Sequence, residues 1–224
     1  MIDFDVEGFK ALVWVYGTRE GIITPDTWEK IICKSVSGTH IPGDTYMADG
    51  MKNEYGLNIK SLLKSFTKGD TQTCSFVQCR CPLDEDSDTL GQDIIKTLVT
   101  KRDESFSQFS LNKMLDVIII HNRVGDDYSV RLFVREQDNY ESLNYDWVGG
   151  CAYSNPDKSK KGWEKSWKLK RISGNASAFQ TCLNVKKVFK VTDCLANFTV
   201  KCDNEYDVTL TEAKEKYNGR IHRR

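Results

Sequence analysis

Two short apolar runs separated by a polar turn, at residues 46 to 62, constrain the fold more than any other part of the sequence. The segment reads YMADGMKNEYGLNIKSL, with Asp49 at the end of the first run and a strand-like alternation in the second. Alternate residues of a strand share a face, so Asn58 and Lys60 are predicted to point the same way. If the two runs pair as a hairpin, a carboxylate, an amide and an amine meet at one place.

Composition sets the class of protein in which this hairpin lies. A chain of 224 residues with 39% hydrophobic side chains can bury a sizeable core. Its 32 basic and 32 acidic side chains cancel, so net charge indicates no nucleic-acid partner, although segment 157–190 is rich in Lys and Arg. The acidic N-terminus and the absence of a membrane-length apolar run predict a soluble protein with no membrane partner.

The eight cysteines are predicted to be reduced thiols, because nothing in the sequence looks like a secretion signal. Cys74, Cys79 and Cys81 lie close together, but no C-x-x-C spacing occurs and the chain has only three histidines. Structural zinc is therefore disfavoured, and burial as small hydrophobic residues is the preferred interpretation.

The order of predicted elements favours an α/β (α+β) fold with a central mixed sheet flanked by helices. Thr24 and Pro25 have the pattern of an N-cap and first helical residue. We expect a single domain over 1–224, with a core at about 24–136 and a β-rich C-terminal region at 140–224. The predicted elements are helices at 5–17, 24–36 and 86–109, a hairpin at 46–63, and strands at 71–83, 114–124, 128–137, 188–193, 196–202 and 205–210.

An aspartate at a strand end, a turn, and then a strand carrying Asn-Ile-Lys resembles the core of the PD-(D/E)XK nuclease superfamily. The matching order of helix, three strands, helix and strand runs from about Trp28 to Arg135. The whole chain resembles a type II restriction endonuclease. That resemblance implies Mg²⁺-dependent cleavage of double-stranded DNA by a homodimer in the bacterial cytoplasm.

The resemblance also implies roles for individual residues. Asp49 corresponds to the metal-binding carboxylate, Asn58 stands at the second acidic position, and Lys60 corresponds to the catalytic lysine. The backbone carbonyl of Ile59 is implied as a further metal ligand. Asn58 departs from the family pattern because an amide brings oxygen but no charge to Mg²⁺, and Glu29 on the preceding helix is the candidate replacement.

Glu54, in the hairpin turn, is a second candidate acid. Lysines bind phosphates, whereas Arg and Asn can read bases, so the Lys-rich segment with its two tryptophans is the main predicted DNA contact. Gln78 and Arg80 on the strand at 71–83 are weaker candidates. The predicted DNA-binding residues are Lys168, Lys170, Arg171, Asn175, Asn122 and Arg123.

Other interpretations of the same residues stay open. An aspartate before glycine is often only a turn, and a lysine on a half-exposed strand is often solvated. Asn58 is also consistent with a DNA-binding protein built on a catalytically degenerate nuclease fold. A cysteine-nucleophile enzyme is a third possibility, whereas the HNR sequence at 121–123 lacks the further histidines that an HNH-type nuclease needs.

Overall fold

The computed structural model describes residues 2–43, 46–67, 69–81, 90–137, 146–148, 151–153, 163–171 and 179–202. Backbone contacts divide the chain into two compact units. The first contains the described residues within Met1–Phe66, Ser105–Gln137 and Asp193–Arg224, and the second contains those within Thr67–Glu104 and Asp138–Thr192. The core predicted at about 24–136 is thus interrupted by a segment that belongs to the second unit.

The three predicted helices are present as α1 (Val6–Glu20), α2 (Pro25–Ser35) and α3 (Leu90–Phe109). The predicted N-cap of α2 is confirmed, because Thr24 Oγ1 accepts a hydrogen bond from the Thr27 N–H (3.3 Å). No helix in the described part of the chain is long and apolar enough to cross a membrane.

The predicted end of α1 at Gly17 is wrong, because the helix continues to Glu20 and is capped by Gly21 at a φ of 73°. Gly17 serves close packing instead. A Cβ on Gly17 would lie 2.7 Å from Cys202 Sγ and 3.2 Å from the Tyr128 ring.

Eleven strands are described. They are β1 (Thr39–His40), β2 (Gly50–Lys52), β3 (Tyr55–Leu63), β4 (Thr71–Cys81), β5 (Lys113–Val124), β6 (Asp127–Glu136), β7 (Asp146–Val148), β8 (Cys151–Tyr153), β9 (Trp163–Arg171), β10 (Phe179–Lys190) and β11 (Ala196–Lys201). The first unit holds a six-stranded sheet in the order β1-β2-β3-β5-β6-β11. Only β3 and β5 are parallel, so the sheet is mixed, as predicted.

The strand predicted at 71–83 was expected to be the third strand of the central sheet, and this prediction is wrong. It forms β4, which pairs with β10 in a separate three-stranded sheet of order β4-β10-β9. The third central strand before α3 is β1, whose two residues are too few to show a period in the sequence. Of the late predicted strands, 196–202 corresponds to β11, 188–190 ends β10, and 205–210 lies outside the described residues.

One face of the central sheet supplies the main hydrophobic core. Leu57 and Ile59 of β3 pack there with α1 and α2, and the paired residues of β5 continue the same apolar layer. The fully buried rings of Phe9 and Trp28 fill the space between the helices and the sheet. Other members of this core are Ile31, Ile32, Leu115, Val117, Ile119, Val130 and Leu132.

A buried histidine belongs to the same core. His121 Nδ1 and the Tyr128 hydroxyl are 2.8 Å apart, and the Tyr128 oxygen also accepts a hydrogen bond from the Ile23 N–H. The His121 ring lies against Trp28, with a centroid separation of 5.1 Å. Burial lowers the pKa of His121 from its ordinary value of 6.5 to about 4.

This burial predicts an acid-sensitive fold. The unfolded chain takes up the His121 proton more readily than the folded chain, so stability is retained above pH 6.5 and falls as the pH drops toward 4. Between pH 6.5 and 4.5, the wild type should lose about 2 kcal/mol more unfolding free energy than His121→Gln. Urea denaturation at the two pH values measures this difference, and equal losses would show that His121 titrates normally.

Candidate functional site

The central sheet splits at Asp49, the residue just before β2. The Asp49 N–H donates to the carbonyl of Leu57 (2.8 Å), the residue that is paired with Gly50, so the ladder is shifted by one residue here, as in a β-bulge. The next ladder position is taken by the side chain, because Asp49 Oδ2 accepts the Ile59 N–H at 2.6 Å. The Asp49 carbonyl turns toward β1 and accepts the Ile41 N–H. This split fixes the Asp49 carboxylate against the edge of β3.

Lys60 meets that carboxylate, as the hairpin pattern predicted. Lys60 Nζ lies 3.5 Å from Asp49 Oδ2, and about a quarter of its side chain is exposed. Asp49 bonds Leu57 through its N–H and Ile59 through its carboxylate, so it lies beside the segment of β3 that carries Asn58, and alternation sets Asn58 and Lys60 on one face of that strand.

Glu29 on α2 adds a second carboxylate. Its Oε2 lies 3.1 Å from His40 Nε2, and both side chains are mostly buried. Burial raises the pKa of Glu29 above its ordinary value, and the nearby Asp49 carboxylate raises it further, whereas His40 and Lys60 oppose the rise. Asp49 and Lys60 are thus among the charged groups near Glu29.

A group of three potential metal ligands is found among the described residues. Oxygen atoms of Asp26 and Glu29 and a ring nitrogen of His40 lie within 4.8 Å of one another. Asp26 is exposed and forms an ion pair with Lys30. Glu29 is thus a member of this group and is also influenced by the Asp49 carboxylate.

Cys33 lies beneath the site but lacks the properties of a nucleophile. Its thiol is buried, and burial together with the Asp49 and Glu29 carboxylates raises its pKa to about 12. Among the cysteines with described side chains, Cys74 and Cys202 are also buried, and Cys194 has a raised pKa. The raised pKa values keep the Cys33 and Cys194 thiols protonated at neutral pH, which argues against cysteine catalysis at these two positions.

Asn58 has a neighbour that sequence reasoning missed. Its side chain is 1% exposed, and its Nδ2 donates to Asp116 Oδ1 at 2.8 Å. Asp116 is fully buried on β5, directly opposite Asn58 in the parallel register. A single aspartate inside the apolar run MLDVIII was the available signal, because an ionisable residue is seldom buried without a role.

Two other predicted residues have structural partners away from the site. Glu54 lies in the turn at the far end of the hairpin, where Oε2 accepts a hydrogen bond from Asn112 Nδ2. The Arg123 guanidinium donates to the carbonyls of Gly17 and Gly21, so it caps the end of α1. Asn122 is half-buried opposite Ser129 on β6.

The predicted DNA-contact segment is part of the second unit. Lys168, Lys170 and Arg171 lie on β9, a strand of the three-stranded sheet, and the register sets Lys168 opposite Cys182 on β10. Cys182 in turn pairs with Arg80 on β4, and Gln78 lies at a register shift between the same two strands. The side chains of these β9 and β4 residues, and Asn175 entirely, lie outside the described part of the structure.

Comparison with protein-family models, with curated protein sequences and with solved structures gives no match to this chain. The resemblance to restriction endonucleases therefore rests on the residues and the topology alone.

The tight packing beneath Asp49 gives a prediction. A Cβ at Gly50 would overlap Cys33 Sγ and would lie 3.2 Å from the Thr39 carbonyl oxygen. Gly50→Ala should therefore reduce the unfolding free energy by about 1–3 kcal/mol. Adding Cys33→Ala removes the overlapping sulfur, so the double variant should lose less than the sum of the two single changes. Additive losses in urea denaturation would place the strain elsewhere.

Proposed function

We propose that the chain is a Mg²⁺-dependent endonuclease that hydrolyses phosphodiester bonds in double-stranded DNA, as a type II restriction endonuclease of the PD-(D/E)XK kind. The observation that carries this proposal is the split in the sheet, where Asp49 faces Lys60 at 3.5 Å. An aspartate that serves only a turn is usually exposed, whereas Asp49 is mostly buried beside Lys60. Here the carboxylate replaces a ladder hydrogen bond and stays oriented.

The topology supports the same proposal. Helix α2 precedes three antiparallel strands, β1, β2 and β3, and α3 then leads to β5, which is parallel to β3. This order of elements matches the one that the family resemblance implies, with β1 in place of the strand predicted at 71–83. β4 and the part of α3 up to Glu104 belong to the second unit, and β4 lies outside the central sheet.

The residues present fit a divalent cation. Asp49 and Glu29 supply carboxylates, and Asn58 Oδ1 is a buried oxygen that has no hydrogen-bond partner. Oxygen ligands of this kind suit Mg²⁺, which, when bound, supplies charge to the scissile phosphate and acidifies a bound water. The Ile59 carbonyl, between Asn58 and Lys60, remains a predicted ligand.

Lys60 and Asp49 perform the steps that belong to the protein. Lys60 Nζ can hold a water in line with the phosphorus and stabilise the negative charge that develops on the phosphoryl oxygens. Asp49 keeps Lys60 in place through their ion pair, and the Ile59 N–H fixes the carboxylate in turn. DNA contacts from β9 and dimer formation complete the proposal.

A DNA-binding protein without nuclease activity is the second candidate, because Asn58 replaces an acid and is fully enclosed. Incubation with mixed plasmid DNA and either Mg²⁺ or Mn²⁺ separates the two candidates. Discrete cleavage products support the nuclease, whereas retained DNA binding without products supports the second candidate.

Isosteric changes test the catalytic assignment. Asp49→Asn keeps an oxygen for the Ile59 N–H but removes the charge, so cleavage should be lost while Ca²⁺-supported DNA binding persists. Lys60→Met should lower the cleavage rate by about 10²-fold or more. Lys64→Met, at an exposed lysine just beyond β3, is the matched control and should cleave normally. Normal rates in Asp49→Asn would remove the proposed role of this residue.

Glu29 should set the metal requirement. Glu29→Gln preserves a hydrogen-bonding oxygen for His40 but loses charge, so half-maximal cleavage should need about tenfold more Mg²⁺. Because the pKa of Glu29 is raised, protons compete with metal, and the wild-type Mg²⁺ requirement should increase as pH falls. The Gln variant should show a weaker pH dependence. Glu7→Gln on the exposed face of α1 is the control, and identical titrations for Glu29→Gln and Glu7→Gln would exclude Glu29 as a ligand.

A further inference from the structure

A row of polar residues crosses the central sheet inside an otherwise apolar region. Asn58 on β3, Asp116 on β5 and Arg135 on β6 are directly paired in register. Asn58 is 1% exposed and Asp116 is fully buried. Placing a carboxylate there costs solvation energy, and the site must offset that cost.

The carboxylate holds two amides. Asp116 Oδ1 accepts hydrogen bonds from Asn58 Nδ2 at 2.8 Å and from Gln137 Nε2 at 3.1 Å. Gln137 is held in turn by its own backbone N–H, which donates to the Met114 carbonyl. Two amide N–H donors thus converge on one oxygen of Asp116.

The hydrogen bond to Asp116 also orients the Asn58 oxygen. Nδ2 points toward Asp116 on β5, and the two amide atoms diverge from the same carbon, so Oδ1 points away from Asp116. Asp49 lies on the other side of β3 from β5, bonded to Leu57 and Ile59, the two neighbours of Asn58. Asn58 Oδ1 is buried and has no hydrogen-bond partner, an arrangement that costs desolvation free energy. A cation beside Asp49 would recover that cost.

We propose that Asp116 is a positioning residue for metal binding. It directs Asn58 Oδ1 toward the cation at Asp49. From the neighbouring strand, it also supplies the negative charge that an acid at position 58 would bring. This inference rests on the proposed function. The ligand class is a hard divalent cation, which the amide oxygen binds and the Asp116 charge stabilises through the polarised amide.

An exchange of the two side chains separates this role from a purely structural one. Asn58→Asp alone sets two buried carboxylates against each other, so one must take up a proton. The double variant Asn58→Asp/Asp116→Asn keeps one amide, one carboxylate and a hydrogen bond between them. It also turns the neutral ligand into a charged one.

Mn²⁺ binding to the full chain, in the absence of DNA, is measured by calorimetry. Asp116→Asn should weaken binding about tenfold or more, and the exchanged double variant should bind at least about tenfold more tightly than the wild type. Asp127→Asn, at an exposed aspartate that begins β6, is the matched control, because it removes the same charge outside the polar row. Its affinity should stay within about threefold of the wild type.

Each result decides the proposal. Unchanged affinity in folded Asp116→Asn, or in the exchanged variant, would show that the polar row is structural. If Asp116→Asn does not fold, the exchanged variant decides alone, by tighter or unchanged binding. Asp49→Asn in the same titration tests the proposed function. Equal Mn²⁺ binding by Asp49→Asn and the wild type would contradict the proposed cation site itself. If Asp49→Asn loses Mn²⁺ binding but the Asp116→Asn and exchanged variants keep the wild-type affinity, only the role of Asp116 is contradicted.

Discussion

The hydrogen bond from the Ile59 N–H to the Asp49 carboxylate is the contact on which the candidate site depends. It lets β2 leave β3 without leaving a ladder donor unpaired, and an unpaired buried N–H is a cost that folds avoid. The carbonyl of Asp49 then accepts a hydrogen bond from Ile41, next to β1, while its N–H and its side chain bond to β3. The separation of β2 from β3 and the position of the carboxylate beside Lys60 thus depend on the same atom, Asp49 Oδ2.

Much of the first unit could be predicted because its signals are local. The N-cap at Thr24, the hairpin around Asn53 and the alternation that sets Asn58 and Lys60 on one face all follow from short-range rules, and the structure confirms them. The approach of Lys60 to Asp49 required only the hairpin register in addition. Glu29 was proposed for its charge, and its position near Asp49 follows from how α2 packs on β3.

The parts that failed depend on long-range pairing. A strand pattern at 71–83 does not reveal which strand it will join, and β4 pairs with β10, about a hundred residues later in the chain. Asp116 is separated from Asn58 by 58 positions, so no local pattern could link them. Arg123 looked like a functional residue at a strand end, yet its donors satisfy carbonyls at the end of α1, which only the folded chain brings near.

The contact between Asn58 and Asp116 has an evolutionary consequence. Either single exchange leaves two carboxylates or two amides in a buried contact, so each change is unfavourable until the other has occurred. Substitutions at the two positions should therefore be epistatic, and natural sequences should change them together. Motif searches that require an acid within one strand would overlook chains in which the acid lies on the neighbouring strand. A pattern defined across paired strands would find them.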